Sequence, residues 1–263
     1  MNGNSLPRPT PRIFCISSGK GGVGKTSLSV NLAAHMAGRT KKVLLIDGDL
    51  GLANVDIMLG LNSRHTLQEI IEESRDPAEI LVEIMPGFFV LPASSGVPEM
   101  ASLTYEEQVF LTNTLEKIIT DFDYVLVDTA AGIGDSVLWF NRWASENVVV
   151  MSPDPTSLTD AYALIKVLAS RYNRRRFHLV INSVKSKKEG LGVFNNMSMV
   201  LGKFLQLSPF FLGTIPQDRV ISNAVRIQKP FVLSDPDSRA SIAIANLADA
   251  LLAISGPEKR STN

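Results

Sequence analysis

The chain carries a single cysteine, Cys15. An intrachain disulfide is therefore excluded. A cysteine-ligated cluster or zinc site within one chain is not expected either, which fits a reducing, intracellular setting. Net charge is also missing: 26 Lys and Arg balance 26 Asp and Glu. No global field draws the chain to nucleic acid or to an anionic membrane, so only local patches could do so. No stretch reaches the roughly 18 apolar residues that a membrane-spanning helix needs. His35, His65 and His178 lack metal-ligand spacing and read as structural or surface residues. There is no internal repeat and no Gly/Ser linker, so one domain is expected over residues 13–254. Residues 1–12 are polar and hold three prolines, reading as a disordered tail rather than a signal peptide. Residues 255–263 read the same way. What is present is enough for a sizeable core, with 45% hydrophobic and 20% charged residues in a 263-residue chain.

Short apolar runs alternate with helical patterns along this chain. Residues 13–17 form an apolar run followed by a Gly-rich turn, then a helical stretch over 27–37 that ends at Gly38. Continuous apolar runs recur at 43–46, 88–91, 124–127, 147–151, 177–181 and 209–215, as expected of strands covered on both faces. Between them lie helical candidates at 66–73, 105–120, 136–145, 157–172, 190–206, 218–228 and 238–254. The last has Ile244, Leu247, Ala248, Leu251 and Leu252 on one stripe. The alternation predicts an α/β fold, a mostly parallel twisted sheet flanked by helices on both faces.

The turn after the first strand reads Gly19-Lys20-Gly21-Gly22-Val23-Gly24-Lys25-Thr26, the glycine, four-residue, Gly-Lys-Thr spacing of a phosphate loop. Glycines let backbone N–H groups turn inward around an anion. Lys25 supplies positive charge for β- and γ-phosphates. Thr26 opens the helix, where its hydroxyl can hold Mg²⁺, and Ser27 completes the nucleotide-binding segment. Its place between a buried-type strand and a helix is the context such a loop requires.

Phosphoryl chemistry also needs carboxylates to anchor a metal shell and orient water. Asp47 and Asp49 follow the 43–46 run, and Asp128 follows 124–127. These are strand carboxyl ends, where open parallel sheets bind ligands. Each alone is equally well a turn residue; the loop makes them candidates. The glycine-bearing segments 49–56 and 129–134 are candidate switch regions, ordered by metal and γ-phosphate contacts.

Together these residues resemble the MinD/ParA group of deviant P-loop ATPases, whose mark is a lysine directly after the loop's first glycine, here Lys20. The resemblance spans nearly the whole chain. It implies a P-loop NTPase fold and an ATP-sandwiched homodimer in which Lys20 acts in trans, with ATP or ADP and Mg²⁺ as ligands. It also implies catalytic roles for Lys20, Lys25, Asp49 and Asp128, metal binding by Thr26, Asp49 and Asp128, and adenine-binding positions at Asn182, Pro216 and Asp218. For Asn182 and Asp218, strand-end and helix-cap duties are the plainer alternative.

Within the group the likeness is to the flagellar-number regulator branch, FlhG/FleN (YlxH). It rests on residues 47–56, on Asp128-Thr129-Ala130-Ala131-Gly132-Ile133, and on residues 153–162. MinD proper tends to have proline where Ala130 stands. That branch implies partners in flagellar assembly: an FlhF-type GTPase related to signal recognition and a transcriptional activator. It implies a cytoplasmic protein, transiently at the membrane or cell pole. MinD-like division-site and ParA-like partition roles are the alternatives. The group's cluster carriers need interface cysteines that Cys15 alone does not supply.

Two departures stand out. Gly256-Pro257 stops the last helix with only Lys259 and Arg260 beyond it, so membrane association is expected to be weak or absent. Residues 1–12 contain no Asp-Gln-Ala motif of the kind that stimulates the partner GTPase. The knot Arg171, Arg174, Arg175, Arg176 reads as a solvated helix end or as a contact for DNA or an acidic partner. The apolar helix over 190–206 reads as core or as a docking face. Cys15 reads as a small buried hydrophobe.

Overall fold

Strand β1 (Arg12–Ser18) is buried on both sides from its second residue onward, which is why Ile13 to Ile16 are continuously apolar. In the computed structural model, which describes residues 10–63, 65–93 and 103–254, the elements that follow are α1 (Lys25–Gly38), β2 (Val43–Gly48), α2 (Val55–Leu59), α3 (Leu67–Glu73), α4 (Pro77–Ile80), β3 (Val82–Met85), β4 (Phe88–Leu91) and α5 (Tyr105–Ile119). Then come β5 (Tyr124–Ala131), α6 (Asp135–Trp143), β6 (Glu146–Met151), α7 (Pro155–Tyr172), β7 (Phe177–Val184) and α8 (Lys187–Leu205). The last are β8 (Phe210–Pro216), α9 (Arg219–Ile227), α10 (Phe231–Ser234) and α11 (Arg239–Ala253). Most of the expected tails, residues 1–9 and 255–263, lies outside the described residues, as do Lys259 and Arg260.

The eight strands form one sheet in the order β3-β4-β2-β5-β1-β6-β7-β8. All neighbours pair in parallel except β3, which runs antiparallel to β4. Alternate residues of each strand serve the two faces. Phe14 and Ile16 pack with α1, α10 and α11 around Leu28, Leu32, Phe231, Ile244 and Leu247. Ile13 and Cys15 face the opposite layer of α5 and α6, and α7 and α8 cover β6 and β7 on that same side. Among the described residues no helix is long and apolar enough to cross a membrane.

The chain leaves β1 in one direction through β2 to β5 and returns beside it in the other through β6 to β8. That reversal makes the carboxyl end of β1 the crevice where such sheets bind ligands. Register does the rest. Asp47 of β2 stands opposite Asp128 of β5, and Ser18 of β1 opposite Ala131.

Every predicted strand and long helix is present, with ends moved by a few residues. β1 takes in Arg12, one position earlier than expected. Four elements were not anticipated. β3 is four residues long and half-exposed, with Glu83 in its middle, and α2, α4 and α10 have five, four and four residues. None is long enough to show a period.

Candidate nucleotide site

The loop after β1 is shaped by close approach as much as by backbone freedom. A Cβ on Gly19 would stand 2.1 Å from the backbone carbon and oxygen of Asp160 in α7, so only glycine lets the loop lie against that helix. Gly24, the residue before α1, has φ +91, a region that L side chains avoid. Its position is also blocked by Asn182, whose Nδ2 would lie 2.3 Å from an added Cβ. Gly21 and Gly22 face open space instead. One side of the loop is thus packed against α7 and β7, and the other is left free.

The two lysines of the loop go opposite ways. Lys25 is buried, and its Nζ donates to Ser18 Oγ at 2.9 Å, whose hydroxyl in turn donates to Lys20 O at 2.6 Å. Burial lowers the Lys25 pKa, and the Asp128 and Asp49 carboxylates pull it back up. Lys20 points away. Its Nζ donates to Thr156 Oγ1 at 2.5 Å and lies 3.4 Å from Asp154 Oδ1, at the N-terminus of α7. Asp154 also accepts from the Thr156 hydroxyl and from the N–H groups of Thr156 and Ser157. These contacts, the Thr156 hydroxyl first, hold its carboxyl down at about 2.

The acids form a graded set. Asp128 is fully buried. Burial lifts its pKa to about 6, although Thr26 and Ser29 hydroxyls and the Lys25 ammonium work against it. The Ser29 contact is 2.9 Å. Asp47 is buried too and raised well above the ordinary carboxylate value, by desolvation first and then by Asp128. Its oxygens accept from the backbone N–H groups of Asp49, Asn54 and Val55 at 3.1–3.2 Å, so it organises the segment that carries Asp49. Asp49 is half-exposed and raised by desolvation, and it accepts from Leu52 N at 3.3 Å.

Lys25, Thr26, Asp49 and Asp128 therefore converge on one crevice, with Gly19 to Gly24 as its rim. Lys20 is not inside it. Asn182 lies against the rim: its Nδ2 donates to Val23 O at 2.7 Å and its Oδ1 accepts from Ser183 N at 2.8 Å. One amide hydrogen and one lone pair remain for a ligand. Pro216 ends β8. Asp218 caps α9 by accepting from Val220 N and also accepts from Ala240 N, each at 3.3 Å, so both its oxygens have structural duties. Ser27 sits on the first turn of α1, half-buried.

Sequence reading gave no site role to Ser18, Ser29, Asp154 and Thr156, although the last two lie in the 153–162 segment that carries the resemblance. Asp154-Pro155 is a readable helix start, an N-cap with proline behind it. Nothing in the linear sequence links it to Lys20.

The histidines His178 and His65 and the thiol of Cys15 have structural surroundings. His178 pairs with the buried Glu146 at 2.8 Å, and His65 with Glu69 at the same distance. Cys15 is fully buried and its thiol pKa is pushed up by desolvation.

Comparison with known proteins agrees with this geometry. A family model described as ParA, NUBPL iron-transfer P-loop NTPase, matches residues 10–252. The antiactivator FleN of Pseudomonas aeruginosa is 40% identical over 90% of this chain and 85% of its own length. The flagellum site-determining protein YlxH of Helicobacter pylori is 31% identical over 92% and 82%. Among solved structures, the MinD cell division protein of Aquifex aeolicus superposes with a TM-score of 0.76 at 29% identity, covering 94% of this chain and 100% of that one. With its phosphate loop, its buried Lys25 and Asp128 and a match along nearly its full length, the chain belongs to the ParA/MinD family of P-loop ATPases.

Proposed function

We propose that the chain is a slowly hydrolysing, ATP-driven dimerisation switch that regulates the number and placement of flagella. The observation that carries the switch is the opposed facing of Lys25 and Lys20. A buried ammonium beside the loop serves the phosphates of its own site. An ammonium held outward on a long stem is placed to serve those of a second copy.

In this reading the backbone of Gly19, Lys20, Gly21, Gly22, Val23 and Gly24, with Lys25, Thr26 and Ser27, cradles the triphosphate. Asp49 orients the attacking water. Asn182, Pro216 and Asp218 border the adenine. The residues suit Mg²⁺ with ATP, since Thr26, Asp49 and Asp128 offer hard oxygen donors beside open space at Gly21, Gly22, Gly132 and Gly134. Bound Mg²⁺ would neutralise charge developing on the transferred phosphoryl group. Asp128 takes part as a carboxylate, held in place by Thr26 and Ser29.

The flagellar role is supported by the relatives named an antiactivator and a flagellum site-determining protein. Its partners would be a transcriptional activator and an FlhF-type GTPase, met in the cytoplasm with transient visits to the membrane or pole. Deletion in a flagellated host should change the count of flagella per cell. Unchanged flagella with misplaced septa would favour instead a division-site role, the reading that the MinD likeness supports. Iron transfer is not adopted, because the one thiol is sealed inside the sheet.

A further inference from the structure

The arginine knot between α7 and β7 divides into two pairs. Arg174 turns inward, donating to Asn147 Oδ1 at 2.9 and 3.0 Å and to Ala144 O at 2.7 Å. Arg176 pairs with the buried Glu146 carboxylate at 3.3 Å. Arg171 and Arg175 remain at the surface. With Phe204 they line a concavity of about 400 Å³ between the C-terminal ends of α7 and α8.

No carboxylate among the described residues lines that concavity. Among the described residues neither Arg171 nor Arg175 has an ion-pair partner. Arg175 donates only to Leu205 O, at 3.3 Å. Phe204 is 62% exposed, with the Lys203 ammonium 5.4 Å from its ring. The site thus combines unspent guanidinium groups with uncovered apolar surface. Isolated exposed hydrophobes need no explanation, but an aromatic ring beside uncompensated arginines has the composition of an interface centre.

We infer that this concavity docks an acidic, apolar segment of a protein partner. Its carboxylates pair with Arg171 and Arg175, and its aromatic or aliphatic side chain covers Phe204. Guanidinium forks match carboxylates two bonds at a time, and the neighbouring ring strengthens such pairs by excluding water. Duplex DNA offers phosphates to the arginines but no apolar group to cover the exposed Phe204 ring, and a chain of zero net charge adds no long-range pull. A lipid surface calls for a broad apolar face, whereas the exposed Phe204 ring is set among Ser170, Arg171, Asn173, Arg175 and Gln206. In a parallel sheet the crossover helices end where the strands begin, so the concavity lies at the opposite edge from the phosphate loop. A partner held there leaves Lys20 and the nucleotide crevice uncovered. The inference does not depend on the dimerisation reading.

The test is selection of a random-peptide display library on the purified full chain, with phosphatidylglycerol vesicles and short duplex DNA as parallel probes. Enriched peptides should combine Asp or Glu with Phe, Leu or Ile. Synthetic copies followed by fluorescence anisotropy should bind roughly tenfold or more weakly to the Arg171→Glu/Arg175→Glu chain and to the Phe204→Ala chain, a loss of about 1.4 kcal/mol or more. The Arg171→Gln/Arg175→Gln chain should weaken in the same direction, and ATP turnover of all three should be unchanged. The inference is overturned if no peptide is enriched, if those enriched lack acidic residues, or if binding ignores the substitutions. Capture of vesicles or DNA that the same substitutions abolish would also overturn it.

Discussion

A carboxyl group buried as fully as Asp128 is costly to ionise, and the proposed function needs it as a carboxylate. Its pKa rises from 3.8 to about 6, so the folded chain holds the proton more tightly than the unfolded chain does. Its contribution to stability is complete below pH 3.8 and is lost as pH climbs through 6. Asp47 is shifted the same way and adds to the slope. Asp128→Asn, which mimics the protonated acid, should therefore stabilise the nucleotide-free chain well above pH 6. The gain is about 1–3 kcal/mol, visible as a rise of several degrees in Tm. The gain should vanish in melts run at more acid pH than the ordinary aspartate value. ATP turnover of the unmodified chain should move the opposite way, falling as pH drops below about 6 in a pH–rate profile, because protonation removes the carboxylate. The main actors of this crevice were legible at this scale because Gly19 to Thr26 is a local spacing and Asp49 and Asp128 close apolar runs. Ser29 and Thr156 were not. Ser29 meets Asp128 across 99 positions and Thr156 meets Lys20 across 136, pairings that only the sheet order creates.

Helix α7 is the element that ties the loop to the rest of the molecule. Its N-cap Asp154 accepts from Thr156 N and Ser157 N, and the same carboxylate lies beside Lys20. Asp154→Ala should lower the midpoint of a denaturant titration, because it removes the cap of α7. Asp154→Asn retains the cap acceptor, so its cost should be smaller while the charge opposite Lys20 is gone. One turn further on, α7 backbone leaves no room for a side chain on Gly19. Gly19→Ala should push the loop off α7 and weaken nucleotide binding by tenfold or more in calorimetry, about 1.4 kcal/mol, with the circular dichroism spectrum unchanged. Elements were readable where physics repeats a signal. The parallel strands are apolar on both faces, and Ile244, Leu247, Ala248 and Leu251 form the buried stripe of α11. The unanticipated β3 and α2 are held by their neighbours: β3 by pairing with β4, and the start of α2 by Asp47, which accepts from Val55 N. Asp218, read as an adenine position or a helix cap, caps α9, and the adenine role stays part of the proposed function.

At the scale of the whole molecule, one sheet reversal beside β1 brings the ends of β1, β2 and β5 together and leaves Lys20 outside the crevice they form. The chain's zero net charge imposes no general repulsion between copies, so association can be governed by the nucleotide. The most direct measurement is the mass in solution, by light scattering, of the Asp49→Ala chain with Mg²⁺ and ATP, beside the same chain also carrying Lys20→Ala. The account predicts a dimer for the first and a monomer that still binds ATP for the second. A monomer in both, or a dimer indifferent to Lys20, would contradict it.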